Sequence, residues 1–246
     1  MSSRFNEDDD EEMRSRSRYY QSDDFEGELG NITIARRGYL VNSSEQVVKC
    51  GDFEMVSSGG SMSGVTIQEW GHLWVSSGAS VNDVKICSGG ELFVLDGGRA
   101  TNVVAEEAAI LGIDVSPETF VQGTFAGSAF ETKDGRLSGF VVTEKDCITI
   151  LEGGIAFDTV IEPEGQMNLY SGGIASNTIV HGKFFVSSGA EAHGVVISSG
   201  GRMGMYGGLA DKVLVSRGGE VHGYGEVEGK YSSDYHDDVE KGEDEN

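Results

Sequence analysis

The sequence predicts an all-β chain wound as a single-stranded parallel β-helix, a β-solenoid of about ten coils. The coils are expected over residues 29–228, between disordered acidic tails at 1–28 and 229–246. Three observations predict it. Ser/Gly turns recur through the chain, as in "VSSGGSMSGVTIQEWGHLWVSSGAS" from Val56 to Ser80. Four residues after each turn ends, the residue is always Gly, Asp or Asn: Gly64, Asp83, Asn102, Gly139, Asp158, Asn177, Gly194 and Asp211. The segments between turns are short and alternate apolar with variable residues, with no helical period among them.

The corner column comes first, because it fixes the period. Gly, Asp and Asn tolerate a left-handed backbone, so one column of these types implies one bend demanded once per coil. The steps along it are 19, 19, 37, 19, 19, 17 and 17 residues. The 37 reads as two periods, with a degenerate coil around Pro117 to Gly123. A period this regular is neither filler nor a catalytic glycine loop, which occurs once.

Before each corner lies a first strand, with expected inward pairs Phe53/Met55, Leu73/Val75, Leu92/Val94, Met167/Leu169, Phe184/Val186 and Met203/Met205. After the corner lies a second strand, with inward pairs Val65/Ile67, Val84/Ile86, Phe140/Val142, Thr159/Ile161, Thr178/Val180 and Val195/Ile197. Two short strands per 17 to 19 residues are too few for a propeller blade. Without helices between strands a βαβ sheet is excluded, which leaves stacked coils at about 4.8 Å per rung. The end segments "RRGYLVNSSEQVVKCG" and "EVHGYGEVEGKYSS" break the pattern and read as caps over edges that would otherwise invite aggregation. Cys50, Cys87 and Cys147 form no CxxC pair and read as free thiols in or near the core.

Charge narrows the function. The chain carries a formal −23 over 246 residues. Such a surface repels phosphate backbones, so nucleic acid is not an expected partner. The "RSRSR" run from Arg14 to Arg18 is embedded in acids and reads as part of a solvated tail. No apolar run reaches the length of a membrane span, and the first residues hold no apolar signal-peptide core.

Two stretches carry a family resemblance: "YSGGIASNTIVHGKFFVSSGAEAHGVVISSGG" (Tyr170 to Gly201) and the Val56 to Gly90 unit. They resemble the passenger repeats of AIDA-type autotransporter adhesins, with "GGIASNTIV" (Gly172 to Val180) as the nearest match. The resemblance covers about residues 50–220. It implies a right-handed β-helix at a bacterial cell surface, extracellular and often adhesive, with a host or cell-surface protein or carbohydrate as partner. It also implies Ser57, Ser58, Ser76, Ser77, Ser187, Ser188, Ser198 and Ser199 as heptose acceptors. Against that, serine suits a turn by bonding nearby backbone. A cytoplasmic location is the alternative, and the oligomeric state is left open.

Chemistry is harder to find. The histidines, His72, His181, His193, His222 and His236, fall in different coils. Asp83, Asp158 and Asp211 share the expected corner column, but Asp83 and Asp158 are four periods apart, about 19 Å, too far for paired-carboxylate catalysis. HExxH, GxSxG, P-loop and GGxGxD motifs are missing. The expectation is therefore no catalytic residue, no metal and no cofactor. Trp74, Phe93 and Phe185 occupy what reads as one outward position on the first strand. This stripe is the candidate for holding sugar rings or a partner protein, unless the rings merely stack on one another. The expected function is a non-enzymatic, adhesin-like surface module. The alternatives are an intracellular or phage-like scaffold and a carbohydrate-active β-helix enzyme.

Overall fold

The computed structural model describes residues 32–35 and 46–231. Contacts divide the chain after Ile32. The first unit lies outside the described residues apart from Ile32, and so do the tail expected at 1–28, most of the expected first coil and all of the tail expected at 229–246 except residues 229–231, which end the strand Glu220–Tyr231. The second unit is an all-β parallel solenoid of about 10 turns, without helices among the described residues.

Each turn of the chain lays down three faces, where the sequence pattern predicts two strands. The first face is the ladder Phe53–Val56, His72–Val75, Glu91–Val94, Ile110–Val115, Cys147–Ile150, Gln166–Leu169 and Lys183–Ser187. It continues into the start of Arg202–Val215 and of Glu220–Tyr231. The second and third faces share one strand in the early coils, such as Ser80–Ile86, and separate strands later, such as Ile174–Ser176 and Ile179–Val180. Neighbouring rungs pair in parallel and in register. The second face is the one that pattern reading misses. Its inward column runs Met62, Val81, Ala100, Leu137, Ala156, Ala175, Ala192 and Ala210, all buried, and alanine leaves little apolar signal.

The bend between the second and third faces is the predicted left-handed corner. Its φ values are +70° at Gly64, +54° at Asp83, +53° at Asn102, +62° at Gly139, +53° at Asp158, +55° at Asn177 and +65° at Gly194. The last member differs: Lys212 takes the positive φ, +51°. Asp211 instead pairs with His193, one position before the corner. The side chains of the column bond along it, with Asn102 Nδ2 donating to Asp83 Oδ1 at 3.0 Å and Asn177 Nδ2 to Asp158 Oδ1 at 3.1 Å. A neighbouring rung thereby helps hold each strained bend.

The core is the expected set of vertical ladders, and every predicted third-face pair is buried. One first-face pair is reversed. Val56, not Met55, stands in register with Val75, and Glu54 with Leu73. The inward residue immediately precedes the Ser-Ser turn in each of these rungs, so Phe53 and Met55 face out. Glu54 therefore points inward, and burial beside Asp52 raises its pKa.

The 37-residue step is not two complete periods. Phe120–Phe125 adds a parallel rung to Arg99–Ala105 on the second and third faces. Ser128–Lys133 then returns antiparallel to it. Arg136–Ser138 reverses again and joins Ile155–Phe157 in parallel. The first face gains nothing, because Cys147–Ile150 pairs directly with Ile110–Val115. An antiparallel excursion thus interrupts the second and third faces of a ladder whose first face runs through. The rings of Phe125, Phe130 and Phe140 fill its interior, with centroids 6.0 and 5.3 Å apart. The carboxylate of Asp146, 1% exposed, caps the join, accepting from Leu111 N at 2.7 Å and from Thr143 N and Oγ1 at 2.8 Å.

The join also shifts register. Ile113 pairs with Val94 on one side and with Ile148 on the other. Later first-face rungs are consequently offset by two residues, about 6.6 Å along the strand. The final strand, Glu220–Tyr231, still pairs along its predecessor but places Gly223 opposite Met205 and Gly229 opposite Val213. Glu226, Glu228 and Lys230 are exposed along it, as suits a terminal strand.

Candidate functional site

The outer side of the first face carries the predicted aromatic residues. Trp74 and Phe93 stand in register on consecutive rungs, with ring centroids 5.1 Å apart and planes 39° apart. Phe53, expected inside, joins them from the previous rung at 5.5 Å from Trp74. The rings do stack across rungs, and each remains partly open to solvent. Beside them His72 Nδ1 meets Glu91 Oε2 at 2.8 Å. The edge of the Phe93 ring abuts the next rung, where a β-carbon on Gly112 would clash with it.

Phe185 does not belong to the same column. Through the register step, the Trp74–Phe93 column passes to Gly112, Cys147, Gln166 and Lys183. Phe185 sits in the neighbouring column, after Asp114, Thr149 and Asn168. It forms a second aromatic platform of the same design. A β-carbon on Gly204, one rung on, would lie 2.6 Å from Phe185 Cδ1, and Tyr206 packs beside it at 6.0 Å.

Between the platforms the face is polar. Gln166 Nε2 donates to Asn168 Oδ1 at 2.9 Å, and Asn168 Nδ2 donates to Cys147 Sγ at 3.4 Å. Asp114 accepts from the backbone N of Asp96 at 3.2 Å. Burial pushes the Asp114 carboxyl up to about 6; the Asp96 charge adds to this, while its hydrogen bonds to Asp96 N and Thr149 pull the other way. Burial also raises the Tyr170 hydroxyl, with Cys147 and Asp114 nearby. Sequence reasoning missed Phe53, Asp114, Tyr170 and Tyr206. Aligning the rungs on the residue before each turn exposes the first; the others depend on the register step.

The serine candidates divide between two corners. Ser57/Ser58, Ser76/Ser77 and Ser187/Ser188 turn the chain from first to second face, whereas Ser198/Ser199 turn it from third to first. In each pair the first serine is half-buried and its carbonyl accepts the turn's i+3 N–H, as in Gly60 N to Ser57 O at 2.8 Å. The second is exposed. Its hydroxyl can lie over the glycine one rung on: Ser58 Oγ is 3.0 Å, and Ser77 Oγ 2.6 Å, from where a β-carbon would sit on Gly78 and Gly97.

Cys50, Cys87 and Cys147 form no disulfide. Cys50 is exposed at a turn rather than in the core, while Cys87 and Cys147 are half-buried. His193 bridges Asp211 at 2.7 Å and Glu191 at 3.3 Å, an ion-pair arrangement on the second face. Among the described residues no group of three or more His, Cys, Asp or Glu is placed to hold a metal ion.

No protein-family model and no curated protein matches the chain significantly. Among solved structures it is similar to a hyper-glycosylated fragment of TibA produced by TibC catalysis, at 22% identity. The match covers 81% of this chain and 98% of that fragment, with a TM-score of 0.39.

Proposed function

We propose that the chain is a non-catalytic binding module, displayed at a cell surface, whose contact area is the outer side of the first face. One observation carries this reading: Phe53, Trp74 and Phe93 place three partly exposed rings on consecutive rungs of a rigid ladder. Aromatic rings gain most when they are buried, and a soluble surface seldom keeps a run of them uncovered without a partner. The acids around them are spent in local bonds, such as Glu91 with His72, and present no pair converging on a bond to be cleaved.

Retention on immobilised mucin glycoprotein and on epithelial-cell monolayers tests this. The wild-type protein is expected to be retained. The double variant Trp74→Ala, Phe93→Ala is expected to lose retention while its circular dichroism stays unchanged. Failure of the wild type to be retained, or equal retention of the variant, refutes the reading.

A further inference from the structure

We infer that the first face holds an extended, uncharged oligosaccharide, laid along the stack and anchored by the Trp74–Phe93 platform at one end and the Phe185–Tyr206 platform at the other. This rests on the binding role proposed above for the same face.

Four features point to that ligand class. The platforms repeat one device at two places: a ring packed against a glycine on the next rung, Phe93 against Gly112 and Phe185 against Gly204. A ring held in this way and partly exposed fits the apolar face of a pyranose. The interval between the platforms is lined by the uncharged, partly exposed Thr149 and Gln166, matched to a rim of hydroxyls. Asn168, only 7% exposed, accepts from Gln166 and donates to Cys147, so Gln166 is preorganised.

Charge sets the third constraint. The chain's −23, with Glu91 and Asp114 at the first platform, repels acidic polymers. Two cations stand at the far platform: Lys183, on the same rung as Phe185, and Arg202, whose Nε is 3.2 Å from Glu220. The fourth constraint is backbone. An added peptide strand needs an open sheet edge, whereas the first face presents the flat of a ladder whose rungs bond one another.

The length follows from the rungs. From Phe93 to Phe185 the face advances four rungs, through Gly112, Cys147 and Gln166. At about 4.8 Å per rung that is about 19 Å, with a sideways offset of about 6.6 Å. Roughly one pyranose per rung gives a chain of about five or six rings to touch both platforms.

Calorimetric titration with neutral cello-, manno- and chito-oligosaccharides of two to eight units tests this. In at least one series, affinity is expected to rise with length until about six units and then level off. Trp74→Ala and Phe185→Ala should each weaken the octamer about five- to ten-fold. The disaccharide should respond to only one of them. If no series binds, if affinity ignores length, or if Phe185→Ala leaves the octamer unaffected in a correctly folded protein, the inference falls. Mucin retention lost in the Trp74→Ala, Phe93→Ala variant under those outcomes leaves the binding role standing; retention unchanged removes both.

Discussion

Asp114→Asn isolates the energetic consequence of placing a carboxylate at the register step. The folded state raises this carboxyl from 3.8 to about 6, so the folded chain holds the proton more tightly than the unfolded one. Stability is therefore highest below the unfolded pKa and declines as pH rises from about 4 to about 6. The full difference corresponds to about 3 kcal/mol between the protonated and ionised forms. Solvent at the exposed side of the group reduces this to about 1–2 kcal/mol. Asparagine keeps the shape. Its oxygen can still accept from Asp96 N and its amide can donate to Thr149 Oγ1, so the charge is removed without orphaning a donor. The variant should be more stable than wild type by about 1–2 kcal/mol at pH 7.5, with most of the advantage gone at pH 4. Urea unfolding of both proteins at the two pH values measures it, and the wild-type-to-variant difference cancels the other carboxylates. A variant less stable at pH 7.5, or equally advantaged at pH 4, would refute the account of burial at this site.

Four further substitutions probe other parts of the ladder. The hydroxyls of Thr159 and Thr178 are buried in the third-face column without a hydrogen-bond partner, so Thr159→Val and Thr178→Val should each raise stability by about 1 kcal/mol in denaturant melts. Asp146→Ala leaves the Leu111 and Thr143 amides unpaired and should cost about 2–4 kcal/mol, with hydrogen exchange accelerating first at Leu111. Gly112→Ala forces the Phe93 ring off its neighbouring rung; Trp74 fluorescence should shift, and stability should fall by about 1–2 kcal/mol.

The parts of this fold that repeat were legible. The corner column predicted seven of the left-handed bends by residue type alone, because only Gly, Asp and Asn take that φ cheaply. It failed at Lys212, where the step from Gly194 is 18 residues and not the expected 17. The second face was invisible because Ala156, Ala175, Ala192 and Ala210 fill it without an apolar run. The reversed register at Phe53–Val56 arose because both alternating sets there contain large apolar residues, so period two alone could not choose between them. The antiparallel excursion at 120–138 was hidden because its length happens to be near one period. Of the candidate site, Trp74 and Phe93 were placed correctly side by side. Phe185 was not, since column identity depends on how rungs pair across the excursion and not on spacing along the chain.

That excursion explains why the outer face has two platforms and not one stripe. A perfect solenoid stacks like on like, so an aromatic column would continue until the sequence changed it. Here Ile113 serves two ladders at once, and every later rung is carried sideways by two residues. Phe185 therefore cannot continue the Trp74–Phe93 stack, even on a straight ladder with every rung aromatic. Its ring packs instead against Gly204 on the next rung. The polar interval of Thr149, Gln166 and Asn168 begins at this step, where Asp146 closes the core beneath it. One local break in the repeat thus separates the aromatic platforms and opens the polar stretch between them. A chain bound to both must run obliquely across the face, by about 6.6 Å over about 19 Å of rise.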